Sequence, residues 1–448
     1  MYKWTVVGLL WLVCFFNYAD RQAIYSVFPL LKTQMGLSDL QLGVIGASFM
    51  WVYAAAAPLA GILADRFARK TIVIGGLIFW SLITIATAFS TQYSHLVVCR
   101  ALEGLGEAFY FPASMSLLSD YHGADTRSRA MSLHQSSVYA GTILGGWLGA
   151  LFAEAHGWRL GFYFFGGAGM VLAIVLWRFL REPARGAADR AAAEAGSLAA
   201  TAAALPALGV REVSAVSFRK PTALLLMAAF VGANFVATIF LTWTPTFLVD
   251  KFHFRLTAAG LSGSVFIHAA SAFGAPLGGV LADRFARRLP GGRILVQALG
   301  LLVGATFVGV VGLTNDVRTL LVAMTLFGLC KGLYDSNIFA SLYDVIEPRA
   351  RATAAGLMNT VGWASGALGP LAVGIATKYG RHMPVNSTDV AKHAAEVANM
   401  SEAIAFGSVV YVVGAALLLV AAFKFVGRDA VTGGGGEIVS PTTSPRAS

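Results

Sequence analysis

Long apolar runs dominate the chain, and most of them are separated only by short polar connections. Each run reaches about 20 residues, the length that an α-helix needs to cross the hydrocarbon core of a bilayer. Six runs precede a polar segment and six follow it. The pattern predicts twelve transmembrane helices, at residues 4–31, 39–64, 71–90, 94–119, 129–154, 159–180, 221–249, 256–282, 292–314, 317–343, 353–378 and 402–425.

The connections divide the chain into two bundles, a linker and a tail. The N-terminal bundle covers residues 1–181 and the C-terminal bundle residues 221–426, with a linker rich in Ala, Arg and Glu at 182–220. The tail, residues 427–448, has the Gly- and Ser-rich composition of a disordered segment. Lys and Arg concentrate in the linker and in the connections that share its side of the membrane, which predicts that both termini are cytoplasmic.

The composition excludes several classes of protein. Only 12% of the 448 residues are charged and 57% are hydrophobic, whereas a soluble domain carries about 25% charged residues. The net charge of +10 is spread over short connections, so it indicates membrane topology and not nucleic-acid binding. No GxxxxGK[ST] or HExxH motif occurs, and the cysteines show no CxxC spacing. We therefore predict neither an enzyme nor an ATP-driven pump, and we expect no cofactor and no metal site.

The chain repeats itself at about half its length. PLAGILADRFARK at residues 58–70 recurs as PLGGVLADRFARR at 276–288, with ten identities in thirteen positions, and a weaker echo pairs residues 102–110 with 326–334. Two six-helix halves in parallel repetition are typical of secondary transporters. The predicted fold class is an all-α membrane protein with two pseudo-symmetric six-helix bundles.

The repeated loop lies between the second and third helices of each half. Gly61 is expected to allow close helix packing, and Asp65 to receive a cationic side chain or a helix N-terminus from the other half. Arg66, Arg69 and Lys70 are expected to anchor the loop at anionic headgroups. A second interpretation makes the loop only a topology anchor. The residues expected to act in a conformational switch are Gly61, Asp65, Arg66, Arg69, Gly279, Asp283, Arg284 and Arg287.

These loops resemble the signature loop of the major facilitator superfamily, and the resemblance covers nearly the whole chain. N-Y-A-D-R at 17–21, R-A-L-E-G-L-G-E-A at 100–108 and G-W-R at 157–159 are similar to the anion:cation symporter family of organic-anion transporters. The same residues also resemble the spinster-like lipid transporters. The resemblance implies a major facilitator fold and secondary transport, with the substrate class open between these two families.

Asp20 and Arg21 interrupt the first apolar run near the bilayer midplane, where a charge costs about 2.5–3.5 kcal/mol on insertion scales. On the fourth helix, Arg100 and Glu107 share one face. One hypothesis is that Arg21 holds an anionic substrate while Asp20 and Glu107 exchange protons. The alternative is a buried structural ion network without a transport role.

The resemblance to the anion:cation symporters implies further substrate-binding residues. It carries over to Tyr53 and Arg100, and less closely to Gln135 and Asn359. Lys331 departs from the pattern, because the internal repeat aligns it with Glu107. It would either supply a second cation for a dianionic substrate or neutralise Asp335 or Glu107.

Together these observations predict a secondary active transporter. It would carry a small organic anion, a carboxylate or sugar acid, by proton symport with alternating access. We expect a monomer in the plasma membrane, a bacterial inner membrane, with the anion, protons and lipid as its partners and no nucleic acid. The alternative is a spinster-like transporter of lysophospholipid or sphingolipid, which a cavity opening sideways to lipid would favour.

Overall fold

The structure is a computed structural model and describes residues 2–188, 219–347, 350–382 and 388–430. Within these ranges the chain forms helices joined by short connections. The first half contains α1 Tyr2–Ser26, α2 Phe28–Met35, α3 Asp39–Arg66, α4 Arg69–Ala88, α5 Tyr93–Ala108, α6 Tyr110–Tyr121, α7 Ala124–His156 and α8 Arg159–Phe179. The second half contains α9 Pro221–Phe252, α10 Leu256–Ala286, α11 Gly292–Leu313, α12 Val317–Asp335, α13 Ile338–Val345, α14 Arg351–Gly366, α15 Leu368–Tyr379, α16 Asp389–Val420 and, after a π-helical turn at Ala421–Phe425, α17 Val426–Asp429.

These helices make twelve spans, six in each half. The first span consists of α1 and α2, the fourth of α5 and α6, the tenth of α12 and α13, and the eleventh of α14 and α15. Nine helical segments in the described ranges are long and apolar enough to cross a membrane by themselves. The predicted twelve-helix fold class is confirmed, and the chain is an integral membrane protein.

Proline explains three of the interrupted spans. Pro29, Pro112 and Pro370 each follow a break by two or three residues, because proline lacks an N–H group and its ring crowds the preceding turn. In the eleventh span, Pro370 has no N–H to donate to the carbonyl oxygen of Gly366. That oxygen instead accepts a hydrogen bond of 2.6 Å from the hydroxyl of Thr238. The neighbouring helix α9 therefore satisfies the backbone group that the proline frees.

The two halves meet at the end of the bundle opposite the linker, which we call the distal end. There Lys32 of the first half lies 2.9 Å from Glu396 of the second half. Arg255 Nε donates a hydrogen bond of 2.8 Å to Glu154, whose other oxygen accepts from the backbone N–H of Thr257 at 2.9 Å. These polar contacts close the distal end.

Small residues bring the halves close along two seams. A methyl group added to Gly260 of α10 would lie 2.5 Å from the carbonyl oxygen of Gly146 of α7. A methyl group added to Gly43 of α3 would lie 2.6 Å from the carbonyl oxygen of Pro370. Both approaches are too short for any side chain larger than hydrogen, so the seams depend on glycine.

The last helix is longer than the apolar pattern predicts. It begins at Asp389 and not at residue 402, because Thr388 caps it by accepting from the N–H of Ala391 and because residues 389–401 are rich in the helix-forming residue Ala. The predicted start was wrong, since hydropathy detects the buried length of a helix and not its polar extension. Residues 189–218 of the predicted linker and 431–448 of the predicted tail lie outside the described ranges.

Candidate functional site

The charged side chains predicted at mid-membrane depth form a buried cluster between the first and fourth spans. Asp20 and Arg21 of α1 are 2% and 3% exposed, and Arg100, Glu103 and Glu107 of α5 are 0%, 1% and 1% exposed. The three α5 residues share one face because they are spaced three and seven positions apart. Buried charges are costly unless they are paired, so their partners define what the cluster can do.

Arg21 is paired with Glu107. Its Nε donates a hydrogen bond of 3.1 Å to Glu107 Oε2, its Nη2 contacts the same oxygen, and Nη2 also donates to Asn17 Oδ1 at 3.3 Å. The pairing leaves Arg21 Nη1 and Glu107 Oε1 buried without a hydrogen-bond partner among the described residues. Glu107 and Asn17 thus take the donors of Nε and Nη2 and leave Nη1 unused among the described residues.

Four aromatic rings surround the Arg21 guanidinium. Its central carbon lies 4.5 Å from the ring centroids of Tyr18 and Phe49 and 5.4 Å from those of Tyr53 and Trp363. Trp363 belongs to the second half, and its ring lies 5.2 Å from that of Tyr53. Both halves therefore contribute cation–π contacts to Arg21.

Arg100 forms the second pair of the cluster, with Glu103. Arg100 Nη1 donates to Glu103 Oε2 one turn along α5, while the guanidinium carbon lies 4.7 Å from the ring of Phe49 and 5.7 Å from the ring of Tyr25. Arg100 Nε and Nη2 and the hydroxyl of Tyr25 are buried without a hydrogen-bond partner in the described structure. These unused donors make the site suitable for an anion.

Among the described residues, Asp20 has no guanidinium partner. Its Oδ1 accepts from the backbone N–H of Arg21 at 2.7 Å, and its Oδ2 lies 3.3 Å from the hydroxyl of Thr84. One carboxylate oxygen from each of Asp20, Glu103 and Glu107 falls within 4.8 Å of the others. The cluster therefore contains three carboxyl groups and two guanidinium groups.

The other predicted binding residues are placed differently. The ring of Tyr53 contacts the guanidinium of Arg21. Gln135 and Asn359 are exposed, and neither is among the side chains that contact the two arginines in the described ranges. The structure therefore brings Asp20, Arg21 and Tyr53 together with the α5 residues, and it records no hydrogen bond or ion pair of Gln135 or Asn359 with the two arginines in the described ranges.

Lys331 forms an ion pair with Asp335 on the same helix. The side chains are 19% and 36% exposed, so both retain access to solvent. Of the alternatives raised by the sequence, the structure shows Lys331 with Asp335, while Glu107 is paired with Arg21. Lys331 also lines a cavity of about 20 Å³ with His268 and Phe327.

Arg69 in the first repeated loop is not a headgroup anchor. Its side chain is 1% exposed and forms ion pairs with Asp120 of α6 and with Glu182, whose Oε1 lies 2.9 Å from Arg69 Nε. Lys70 is half-buried and donates to the carbonyl oxygen of Trp177 at 3.0 Å. The prediction of a headgroup anchor was wrong for Arg69, because its guanidinium binds two carboxyl groups from elsewhere in the same half.

The two copies of the loop differ in burial. Arg66, Arg284 and Arg287 are exposed, and Asp283 forms an exposed ion pair with Arg293 at 3.0 Å. The side chain of Asp65 lies outside the described part of the structure. A methyl group added to Gly61 or Gly279 would meet no atom within 4 Å, so the expected close packing at Gly61 is absent.

Close packing occurs instead at other glycines, Gly278 beside Gly279 and Gly104 on α5. In the second half, a methyl group added to Gly278 would lie 2.8 Å from the Cα atom of Leu333. In the first half, Gly104 of α5 lies against the backbone of Phe49, where a methyl group would collide with the carbonyl oxygen. Gly104 therefore sets the distance between α3 and α5 and so positions Arg100 and Glu107.

Sequence reasoning missed two parts of this arrangement. Thr84 gives no signal, because a threonine within an apolar helix is ordinary and only its contacts with Asp20 and Glu103 distinguish it. Lys32 follows the first apolar run, where a basic residue usually indicates a helix end. Its partners Asp39 and Glu396 are 7 and 364 positions away, so the pairing depends on the fold.

An apolar groove lies on the side of the first half. It has a volume of about 430 Å³ and lies among α3, α4 and α5, with Leu63, Ile72, Phe79, Leu105 and Phe109 in its walls. All of its lining residues belong to one half, so it is separate from the seams between the halves. It is the kind of surface that an acyl chain fills.

The comparisons with known proteins agree with this architecture. The model of the Major Facilitator Superfamily matches residues 10–370 and again residues 252–434. The chain is 30% identical over 396 residues to the probable anion transporter 4, chloroplastic, of Oryza sativa subsp. japonica; the match covers 84% of this chain and 64% of that protein.

Spinster proteins are also similar to the chain. It is 30% identical over 251 residues to protein spinster homolog 1 of Homo sapiens, a match that covers 54% of this chain and 45% of that protein. A solved bacterial homolog of the human lysosomal transporter Spinster, inward-facing and unoccupied, superposes with a TM-score of 0.82 at 22% identity, covering 96% of this chain and 99% of that one. The relatives are transporters of two kinds.

Proposed function

Because the chain belongs to the Major Facilitator Superfamily, we propose that it is a secondary active transporter that carries a small organic anion together with protons. The observation that supports this proposal is the Arg21 site. A guanidinium at the contact of the two halves is held by one carboxylate oxygen and four aromatic rings, and it keeps donors unused. A substrate carboxylate matches the planar fork of a guanidinium in a bidentate geometry.

Competition for Arg21 couples the anion to a proton. When a substrate carboxylate takes the guanidinium, Glu107 loses its counter-ion while it remains buried, and an isolated buried carboxylate is strongly disfavoured. Glu107 then binds a proton. Release of the anion restores the pair with Arg21 and expels the proton, so each group is charged only when it has a partner.

We further propose that the linker end faces the cytoplasm of a bacterial cell and that the chain acts as a monomer. Lys and Arg at the linker end support this orientation through the positive-inside rule. In this orientation the distal contacts of Lys32 and Arg255 close the outer side. With the outer side closed, substrate would enter or leave the Arg21 site from the cytoplasm.

The test is a panel of probes with the purified protein. Melting temperature is measured with glucuronate, gluconate, succinate and lysophosphatidylcholine, and uptake of the radiolabelled hit is then measured in proteoliposomes with an imposed inward proton gradient. We expect a carboxylate to raise the melting temperature and to accumulate, and we expect a protonophore to abolish the accumulation. Equal uptake with and without the gradient would refute proton coupling.

Matched arginine variants test the site itself. Arg21→Lys keeps the positive charge but loses the planar fork, so we expect at least a tenfold loss of affinity for the carboxylate, about 1.4 kcal/mol. Arg178→Lys, at an exposed position in α8, serves as the control and should bind normally. Normal binding by Arg21→Lys would remove Arg21 from the substrate site.

A spinster-like amphiphile is the second candidate, and the groove among α3, α4 and α5 favours it. An acyl chain fits about 430 Å³ of apolar space that opens beside the helices. If this candidate is right, lysophosphatidylcholine raises the melting temperature, the sugar acids do not, and Phe79→Ser in the groove removes the effect. Phe164→Ser, an exposed aromatic on α8, is the matched control.

A further inference from the structure

Charge does not balance in the cluster when every carboxyl group is ionised. Arg21 is used by Glu107 and Arg100 is used by Glu103. Asp20 remains, and the charged groups that face it are Arg21 on its own helix and the three α5 residues. With three carboxylates and two guanidinium groups, all at most 3% exposed, the site requires one additional positive charge.

The hydrogen bonds of Thr84 locate that charge. Its hydroxyl oxygen lies 2.9 Å from the carbonyl oxygen of Trp80, 3.3 Å from Asp20 Oδ2 and 3.3 Å from Glu103 Oε1. A hydroxyl has one hydrogen to donate and two lone pairs. At most one of the three oxygens accepts from it, so at least one carboxyl oxygen faces a lone pair of Thr84, a contact that becomes a hydrogen bond when that carboxyl group carries a hydrogen.

Unpartnered groups in the same cluster point independently to a site for a ligand or a proton. Glu107 Oε1 and Arg100 Nε and Nη2 are buried without a hydrogen-bond partner among the described side chains and backbone. Glu103, by contrast, has a guanidinium on Oε2. Asp20 is therefore the carboxyl group that carries the hydrogen in this arrangement.

We propose that Glu103 and Thr84 belong to the proton path, and that Thr84 joins Asp20 and Glu103 into one unit that holds a shared proton. This inference rests on the proposed function and specifies its coupling. While Arg100 is paired with Glu103, the proton stays on Asp20. When a substrate anion takes the unused donors of Arg100 and draws it from Glu103, Glu103 becomes the isolated carboxylate and the proton moves to it.

The transfer balances at each oxygen. The O–H bond of Asp20 breaks and its proton binds Thr84 Oγ1, while the O–H bond of Thr84 breaks and that proton binds Glu103 Oε1. Threonine is a hydroxyl before and after the step, and no oxidant or further reactant is needed. Asp20 is left as a carboxylate that can take a second proton from water.

Infrared difference spectroscopy of the purified protein tests this without any substrate. At neutral pH, in choline chloride, the wild type should show the carbonyl stretch of one buried protonated carboxylic acid. Asp20→Asn should remove it. Glu103→Gln should also remove it although Asp20 is intact, because two carboxylates then balance two guanidinium groups. A Glu103→Gln spectrum that keeps the band would overturn the proposal.

Threonine variants keep the test decisive if the carboxyl variants fold poorly. Thr84→Val has the same shape without the hydroxyl and should shift the band to the frequency of a carboxylic acid that has lost its hydrogen bond; Thr84→Ser should restore it. Thr87→Val is the matched control, since the Thr87 hydroxyl donates to Ile83 within the same helix. An unshifted band in Thr84→Val would refute the relay.

Two further outcomes separate this inference from others. Loss of the band when sodium replaces choline at constant ionic strength would identify a sodium site and overturn the proton assignment. Absence of the band in a wild-type protein that accumulates a carboxylate under a proton gradient would refute this inference and leave the proposed function standing. A normal band in a protein that transports no anion would refute the proposed function and leave the shared proton standing.

Discussion

Lys32 controls the closure of the distal end, and its removal should open that end. The ammonium group lies 2.9 Å from Asp39, 2.9 Å from Glu396 and 3.8 Å from Asp250, and two of these carboxyl groups belong to the second half. Lys32→Met removes the only positive charge among these four side chains. The three carboxylates then repel one another across the contact between the halves.

The size of the effect follows from burial. Breaking a buried ion pair by removing one partner costs about 3–5 kcal/mol, whereas an exposed pair contributes about 0–1 kcal/mol. Lys32 is 20% exposed, and its partners in the second half, Asp250 and Glu396, are 12% and 32% exposed, so an intermediate loss of about 2–3 kcal/mol is appropriate. At about 1.4 kcal/mol for each factor of ten, the ratio of distally closed to distally open molecules should fall about 30- to 140-fold.

Pulsed electron paramagnetic resonance distance measurement is the assay. Spin labels at Gln92 and Asn315, both exposed in distal connections of opposite halves, report the separation of the halves in a background without the three native cysteines. Lys32→Met should add a population at longer distance, and lowering the pH should reduce it because protonation removes the repulsion among the carboxylates. Lys32→Arg should keep the wild-type distribution.

Lys392→Met is the matched control, since Lys392 is 53% exposed at the same end and, in the part of the chain that the structure describes, is paired only with an exposed carboxylate, Asp389, on its own helix. A distance distribution for Lys32→Met identical to that of the wild type, at neutral pH and in low salt, would refute the reasoning. The ion cluster would then be a consequence of closure and not one of its causes.

Two further predictions each compare a buried or crowded position with a control position that is exposed or uncrowded. Arg69→Ala should lower the melting temperature of the detergent-solubilised protein by the equivalent of about 3–5 kcal/mol, because it leaves the partly buried Asp120 without its cation. Arg287→Ala, the exposed counterpart in the second loop, should change the stability by less than about 0.5 kcal/mol. Similar melting temperatures for both variants would show that the Arg69 pairs contribute little. Gly104→Ala should force α3 and α5 apart and reduce the affinity for the anion at Arg21 and Arg100. Gly61→Ala is the control and should bind the anion normally, because the added methyl group meets no described atom within 4 Å. Normal anion binding by Gly104→Ala would show that the helices adjust without moving the arginines.

The fold could be predicted because its causes are local and repeated. Apolar length determines which segments span a membrane, and the recurrence of residues 58–70 at 276–288 indicates two like halves. Helix ends were less predictable. Thr388 and Asp389 begin the last helix outside the apolar window, where capping and helix propensity decide and hydropathy has no influence.

The site was predictable as a set of residues but not as a set of pairs. Charges within apolar runs identify Asp20, Arg21 and Glu107 because the membrane makes unneeded charges costly. Which guanidinium takes which carboxylate depends on the separation of α1 and α5, and Gly104 sets the neighbouring distance through contact with the backbone of Phe49. No pattern along one helix contains that information.

The central claim is that an anion displaces Glu107 from Arg21 and that Glu107 then binds a proton. Proton uptake during anion binding measures this directly, with purified protein in weakly buffered detergent solution, a pH-sensitive dye, and the carboxylate that most raises the melting temperature. The wild type should take up protons when the anion binds, and Glu107→Gln should bind the anion with a smaller uptake. Anion binding by the wild type with no proton uptake, or full uptake by Glu107→Gln, would contradict the account.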